Sequence, residues 1–142
     1  MTHNDEKDRY RNNSLVAKYG RIFSEQITFE SNVRVAETYN QYDKETDSAT
    51  ADHAEEVDAI QSTAHISLLY KPNTKFNNKL TLANAYVKRI YAAAPSSGNT
   101  QQDDYYGDRY ALSYSGNYNF NLDNSIVFGV ESEHDEIQYD KD

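Results

Sequence analysis

From Tyr110 to Asn121 the chain alternates with a period of two. Tyr110, Leu112, Tyr114, Gly116, Tyr118 and Phe120 interleave with Ala111, Ser113, Ser115, Asn117, Asn119 and Asn121. A helix turns about 100° per residue and would scatter this pattern around its axis, whereas a strand sends alternate side chains to opposite faces. The segment is therefore constrained to be a β-strand with one aromatic, apolar face and one small, polar face. Leu122-Asp123-Asn124 supplies turn chemistry. Ser125 to Tyr139 then resumes the alternation, with Ile126, Phe128 and Val130 set against Val127, Gly129 and Glu131. Together the two segments predict a hairpin.

The same unit recurs twice upstream. Ile60, Ala64, Ile66, Leu68 and Tyr70 alternate with Gln61, Thr63, His65 and Ser67 in a strand predicted over Ala59 to Lys71. Pro72 to Asn78 turns the chain into a return strand over Lys79 to Ala93, where apolar residues fall on both faces. Earlier still, strands over Ser14 to Ile22 and Ile27 to Tyr42 flank a turn at Phe23 to Gln26. In the second of these, Ile27, Phe29, Val33 and Val35 oppose Thr28, Glu30, Asn32 and Arg34. The expected fold is all-β, an antiparallel up-and-down meander of about six long strands in a domain spanning residues 14–142, with residues 1–13 a polar leader or preceding loop.

The connections are sorted by length. Phe23 to Gln26, Pro72 to Asn78 and Leu122 to Asn124 are short, while Asp43 to Asp58 and Ala94 to Asp108 read as long polar loops. Short turns at one end and long loops at the other are the plan of outer-membrane barrels, and strands of roughly 9 to 11 residues suffice to cross a bilayer when tilted. This makes the expected structure a partial transmembrane β-barrel. It would place Tyr39, Tyr42, Tyr91, Tyr105, Tyr106 and Tyr110 at an outer rim and Phe23, Tyr70, Phe76, Tyr118 and Phe120 at an inner one. Lys18, Arg21, Lys88 and Arg89 should then face the lumen or approach an interface, because a cation on the lipid face is costly.

Composition narrows the classes further. With 13 Tyr and 5 Phe the chain is too aromatic for a disordered segment. A net charge of −9 argues against nucleic acid as a partner. The absence of Cys removes disulfides, thiolate metal sites and cysteine nucleophiles. No run of about 18 apolar residues marks a transmembrane helix. Residues 1–13 lack the basic and apolar regions of a signal peptide.

Asp8-Arg-Tyr-Arg-Asn-Asn-Ser14 leads into a strand and a short turn, followed by a long strand ending Tyr39-Asn-Gln-Tyr-Asp43 before an acidic loop. That order resembles the barrel of TonB-dependent outer-membrane receptors. The stretch from Tyr110 to Phe120, followed by Ser125-Ile-Val-Phe-Gly-Val-Glu131-Ser-Glu133, is similar to the same region. The vitamin B12 (cobalamin) receptor branch is the nearest within that family. The resemblance spans about Asp8 to Asp142 and implies active uptake of a scarce nutrient, of cobalamin or siderophore type, through an outer-membrane barrel of roughly 22 strands closed by a plug. It implies outer-membrane lipid and lipopolysaccharide as surroundings, with the remaining barrel strands and the plug of a parent receptor as partners. The TonB complex would engage only through segments absent here. The chain departs from the family in lacking a plug, a TonB box and a signal peptide, so the expected unit is a segment of barrel wall.

Two candidate sites lie in the predicted long loops. Clustered carboxylates at Asp43, Asp47, Asp52 and Asp58 are hard oxygen ligands of the kind that hold Ca²⁺, and cobalamin receptors by resemblance use acidic outer loops in this way. A solvated acidic loop is the plainer account, since the spacing is not that of an EF-hand. Asp103, Asp104, Tyr105 and Tyr106 combine polar and aromatic groups suited to ligand recognition or to a rim that meets lipopolysaccharide. His3, His53, His65 and His134 lack metal-site spacing, and Glu131 with Glu133 reads as a lumen-facing pair. No catalytic motif is present, so an enzyme is not expected. The alternatives to a receptor segment are a soluble all-β ligand-binding module and a small self-assembling porin-like barrel.

Overall fold

The structure, a computed structural model, describes residues 9–43, 54–93 and 101–141. Six strands follow one another: β1 (Tyr10–Ile22), β2 (Ile27–Asp43), β3 (Ala54–Tyr70), β4 (Phe76–Ala93), β5 (Gln101–Asn119) and β6 (Ser125–Lys141). They form one antiparallel sheet in the order β1-β2-β3-β4-β5-β6, and each strand packs only against its chain neighbours. The all-β meander of six strands is as the alternation predicts. The sheet is not closed, so β1 and β6 are its edges.

All three short turns use one device. A side-chain oxygen early in the turn accepts the backbone N–H groups two and three residues on, fixing the reversal locally. Ser24 Oγ accepts from Gln26 and Ile27, both at 3.2 Å. Asn73 Oδ1 accepts from Lys75 at 2.9 Å and Phe76 at 3.0 Å. Asn121 Oδ1 accepts from Asp123 at 3.0 Å and Asn124 at 2.9 Å.

At the opposite end the strands run further than predicted. β3 begins at Ala54 and β5 at Gln101, so 54–58 and 101–108 are strand, not loop. Asp58 pairs with Tyr39 and Ile90, and Tyr106 with Lys88 and Gln138. Tyr10 to Asn13 likewise belong to β1. The reason is physical: both faces are polar in these stretches, so the hydrophobic alternation that betrays a strand disappears while the backbone ladder continues.

Because the ladders are in register, the faces can be followed straight across. Lys18, Asn32, His65, Ala83, Ala111 and Glu133 share one face; Ala17, Val33, Ala64, Asn84, Tyr110 and His134 share the other. This settles β4, whose sequence is ambiguous. Leu80 and Leu82 lie on the face of Ile66, Leu68, Leu112 and Tyr114, and Ala83, Ala85 and Val87 lie on the polar one.

A single layer has no interior. Among the described residues Ala36 is the one buried apolar side chain, and the buried polar one, Ser67, shares a 3.0 Å hydrogen bond with Thr81. The accessible surface is 11178 Å². A compact monomer of 16.3 kDa would expose roughly 7,500 Å². Among the described residues, both faces of the sheet are thus left open.

Candidate functional surfaces

One face carries a continuous apolar band at the short-turn half of the sheet. Leu15, Tyr19, Val33, Val35, Ile66, Leu68, Leu80, Leu82, Leu112, Phe128 and Val130 are all exposed on it. At its lower margin the aromatic rings associate: Phe76 lies 6.2 Å from Tyr118 and 6.3 Å from Phe128, and Tyr118 lies 5.0 Å from Phe120. Gly116 is opposite Phe128, and the ring covers it so closely that an added Cβ would lie 2.4 Å from Cζ. Glycine here lets the aromatic ring lie flat on the neighbouring strand.

The band crosses the strands obliquely. On β1 it runs from Leu15 to Tyr19, centred on Ala17, and the ladder leads straight across from Ala17 to His134 on β6. On β6, however, the band runs from Ile126 to Val130, centred on Phe128, which is six residues nearer the short turns (134 − 128). That displacement is roughly 20 Å along the strands over roughly 24 Å of interstrand spacing, an angle of about 40°. Strands in a barrel wall are inclined to its axis by the same amount.

The opposite face is polar at the same depth. Lys18, Glu30, Arg34, Lys79, Glu131 and Glu133 all lie on it, with Thr63, Ser67, Thr81, Ala83, Ala111 and Ser113 forming a floor of small side chains between them. Higher up, Arg109 and Asp135 form a bidentate pair with both contacts at 2.7 Å. Among the described residues, the apolar band admits one charge, Arg21, next to the strand end, where its guanidinium sits 5.3 Å from the centroid of Phe23. Lys18 and Arg89 are on the polar face, and Lys88 is on the apolar side but beyond the band, near the long connections.

No protein-family model matches this chain, and no curated protein matches it. The geometry of its own residues therefore carries the functional reading.

The predicted ligand residues are divided by the strand pleat. Asp104 and Tyr106 lie on the apolar side above the band, where Asp104 accepts hydrogen bonds of 2.8 Å from Gln102 Nε2 and 2.8 Å from the Tyr106 hydroxyl. Lys88 Nζ is 3.7 Å from the same carboxylate and 4.9 Å from the Tyr106 ring centroid. These hydrogen bonds, then the lysine charge, hold the Asp104 carboxyl below its ordinary range. Asp103 and Tyr105 are on the polar side. There the Tyr105 ring lies tilted 4.7 Å from Tyr139 and edge-on 5.5 Å from Tyr91, and the Tyr139 hydroxyl donates to Asp103 at 3.1 Å. Desolvation within this cluster, then the Asp103 carboxylate, pushes Tyr139 up to about 12. The four residues consequently fall into two clusters on opposite faces. Tyr91 and Tyr105, expected at the outer rim, lie at that end of their strands but on the polar side, whereas Tyr39, Tyr106, Tyr110, Tyr70, Phe76 and Tyr118 keep to the apolar side.

Of the calcium candidates, Asp43 ends β2 and Asp58 is paired within β3; Asp47 and Asp52 lie outside the described residues. Gln102, Tyr139, the Arg109–Asp135 pair and the pairing of Lys88 with Asp104 escaped sequence reading. Their partners are 16 to 36 residues apart or lie within polar stretches without alternation.

Proposed function

We propose that the chain forms a section of wall in an outer-membrane β-barrel, with the apolar face toward lipid and the polar face toward the lumen. The observation that carries this reading is the oblique band: apolar on one face, free of charge among the described residues except for Arg21 next to the strand end, and inclined by about 40°, the tilt that strands adopt in a membrane barrel. From Tyr110 to Tyr118 the band spans eight residue rises, roughly 21 Å along the barrel axis at that tilt, near the outward apolar height of such walls. A sandwich would cover this face with a second sheet, and no second layer is present among the described residues. Beyond the band the strands continue as a polar extension that would stand outside the membrane, leading into the long connections.

Within that class, the resemblance to TonB-dependent receptors supports a role in uptake of a scarce nutrient, of cobalamin or siderophore type. The section would supply part of the wall and outer connections, while other strands and a plug complete the transporter. The test uses the absence of native cysteine. The chain is folded from urea into phospholipid vesicles with a single cysteine at Leu112 or at Ser113, and a membrane-impermeant maleimide is added. Labelling of Ser113→Cys with protection of Leu112→Cys is expected; equal labelling, or failure to float with vesicles, overturns the wall reading. A full-length protein containing these strands should bind cobalamin or a ferric siderophore. Binding of neither would remove the nutrient assignment and leave the wall.

A further inference from the structure

The two edges of the sheet are also where the polar face is least polar. Among the described residues, seven large hydrophobic side chains are exposed on that face, and six of them lie on the edge strands: Tyr10, Val16 and Ile22 on β1, and Val127, Ile137 and Tyr139 on β6. Unpaired backbone edges are untenable in hydrocarbon, so both strands need a neighbour.

β1 and β6 run in opposite directions, so β1 of a second copy inserted in the same orientation lies antiparallel to β6. Two conditions select the register. Faces must match, which allows only shifts of two residues. The apolar band must also run on without a step. Placing Ala17 opposite Phe128 sets Leu15 against Val130 and Tyr19 against Ile126 on the apolar face. On the polar face the same register brings Ser14 and Asn12, both hydrogen-bond donors, opposite Glu131 and Glu133, and Val16 opposite Gly129. A shift of four residues would instead oppose Lys18 to Glu131, a better charge pair. It sets Leu15 against His134 and displaces the band by roughly 13 Å along the strand.

We propose that, where no other strand occupies them, the β6 edge of one copy pairs with the β1 edge of a second copy in the register Leu15–Val130, Ala17–Phe128, Tyr19–Ile126. The inference rests on the barrel-wall reading, because a bilayer is what favours continuity of the band over the Lys18–Glu131 pair. Repeated, the seam extends the wall six strands at a time.

Cysteine pairs read the register. Ser14→Cys/Glu131→Cys reports the proposed seam, and Lys18→Cys/Glu131→Cys reports the shifted one. Within one chain each pair lies on opposite edges, roughly 24 Å apart, beyond the ~7 Å reach of a disulfide, so oxidation links only separate copies. In phosphatidylcholine vesicles the first pair should give a ladder of linked dimers and trimers about tenfold more abundant than the second. Leu15→Cys/Val130→Cys reads the same register from the other face and guards against a variant that folds poorly. A ladder favouring Lys18→Cys, equal ladders, or no ladder from vesicle-bound protein overturns the seam and leaves the wall standing. A chain that does not float with the vesicles removes both.

Discussion

Leu112 and Ser113 are adjacent in sequence and point to opposite faces, so one substitution at each compares the two environments on the same backbone. Leu112 is 47% exposed on the apolar band, two residues from Tyr114 at the centre of its β5 segment. Ser113 lies on the polar floor directly between Thr81 and Glu131. Arginine on the lipid face near the midplane costs about 2 to 4 kcal/mol, a shift of roughly 30- to 900-fold in the folding equilibrium. Arginine at Ser113 meets water and the Glu131 carboxylate, and should change stability by no more than about 0.5 kcal/mol. The contrast vanishes if the sheet folds in water, because an exposed leucine then tolerates arginine almost as well as an exposed serine does. Urea titration of each variant refolded into vesicles, followed by tyrosine fluorescence or by retarded migration of unboiled samples, measures the difference. Equal losses, or a greater loss for Ser113→Arg, would refute the assignment of the faces to lipid and lumen.

Gly116→Ala should destabilise by about 1 kcal/mol by driving the Phe128 ring off the strand and away from Phe76 and Tyr114. The sign is the test, since alanine in an unobstructed strand is favoured over glycine; a stabilised variant in urea titration would show that the ring does not cover this position. Tyr139, lying beyond the band, should ionise later than an ordinary tyrosine, at about pH 12. Its raised value means that the folded state holds the proton more tightly, so its contribution to stability is complete below about pH 10 and is lost as the pH rises through about 12. Absorbance titration near the phenolate band should therefore lose its latest-ionising tyrosine in Tyr139→Phe. Asn121→Ala removes the acceptor of two backbone N–H groups in the turn before β6, and should cost about 1 kcal/mol and slow refolding of the β5–β6 hairpin in stopped-flow measurements. An unchanged refolding rate would show that the strands close the hairpin without the turn.

Alternation made the lower halves of β2, β3 and β5 legible, since there one face is apolar and the other polar. Tyr110 to Asn119, Ile60 to Tyr70 and Ile27 to Val35 could be read residue by residue, including which side chains share a face. The same signal is absent in 54–58 and 101–108, where Glu55 and Glu56 are neighbours, as are Asp103 and Asp104, so that charge falls on both faces. Those stretches resemble loop because the contrast between faces that produces the pattern is lost where both meet water. The four predicted ligand residues are separated for a related reason: adjacent positions in a strand face opposite ways, so a cluster in sequence becomes two half-clusters in space. What joins them to their actual partners is pairing with β4 and β6, which brings Lys88 to Asp104 and Tyr139 to Asp103.

The sequence by itself therefore determined the all-β class, the strand count and, outside β4, the composition of the faces where the strands alternate, because all three follow from a period of two and from turn chemistry acting over a few residues. The tertiary structure decided what no local pattern contains. Register between strands set the band at about 40° to them and resolved the face of β4. It also placed the charges at the depth of the band on one side, Arg21 excepted, and left β1 and β6 as the edges of the sheet. Register is a relation between segments, fixed by the sum of many cross-strand contacts, and alternation within one segment constrains only its parity.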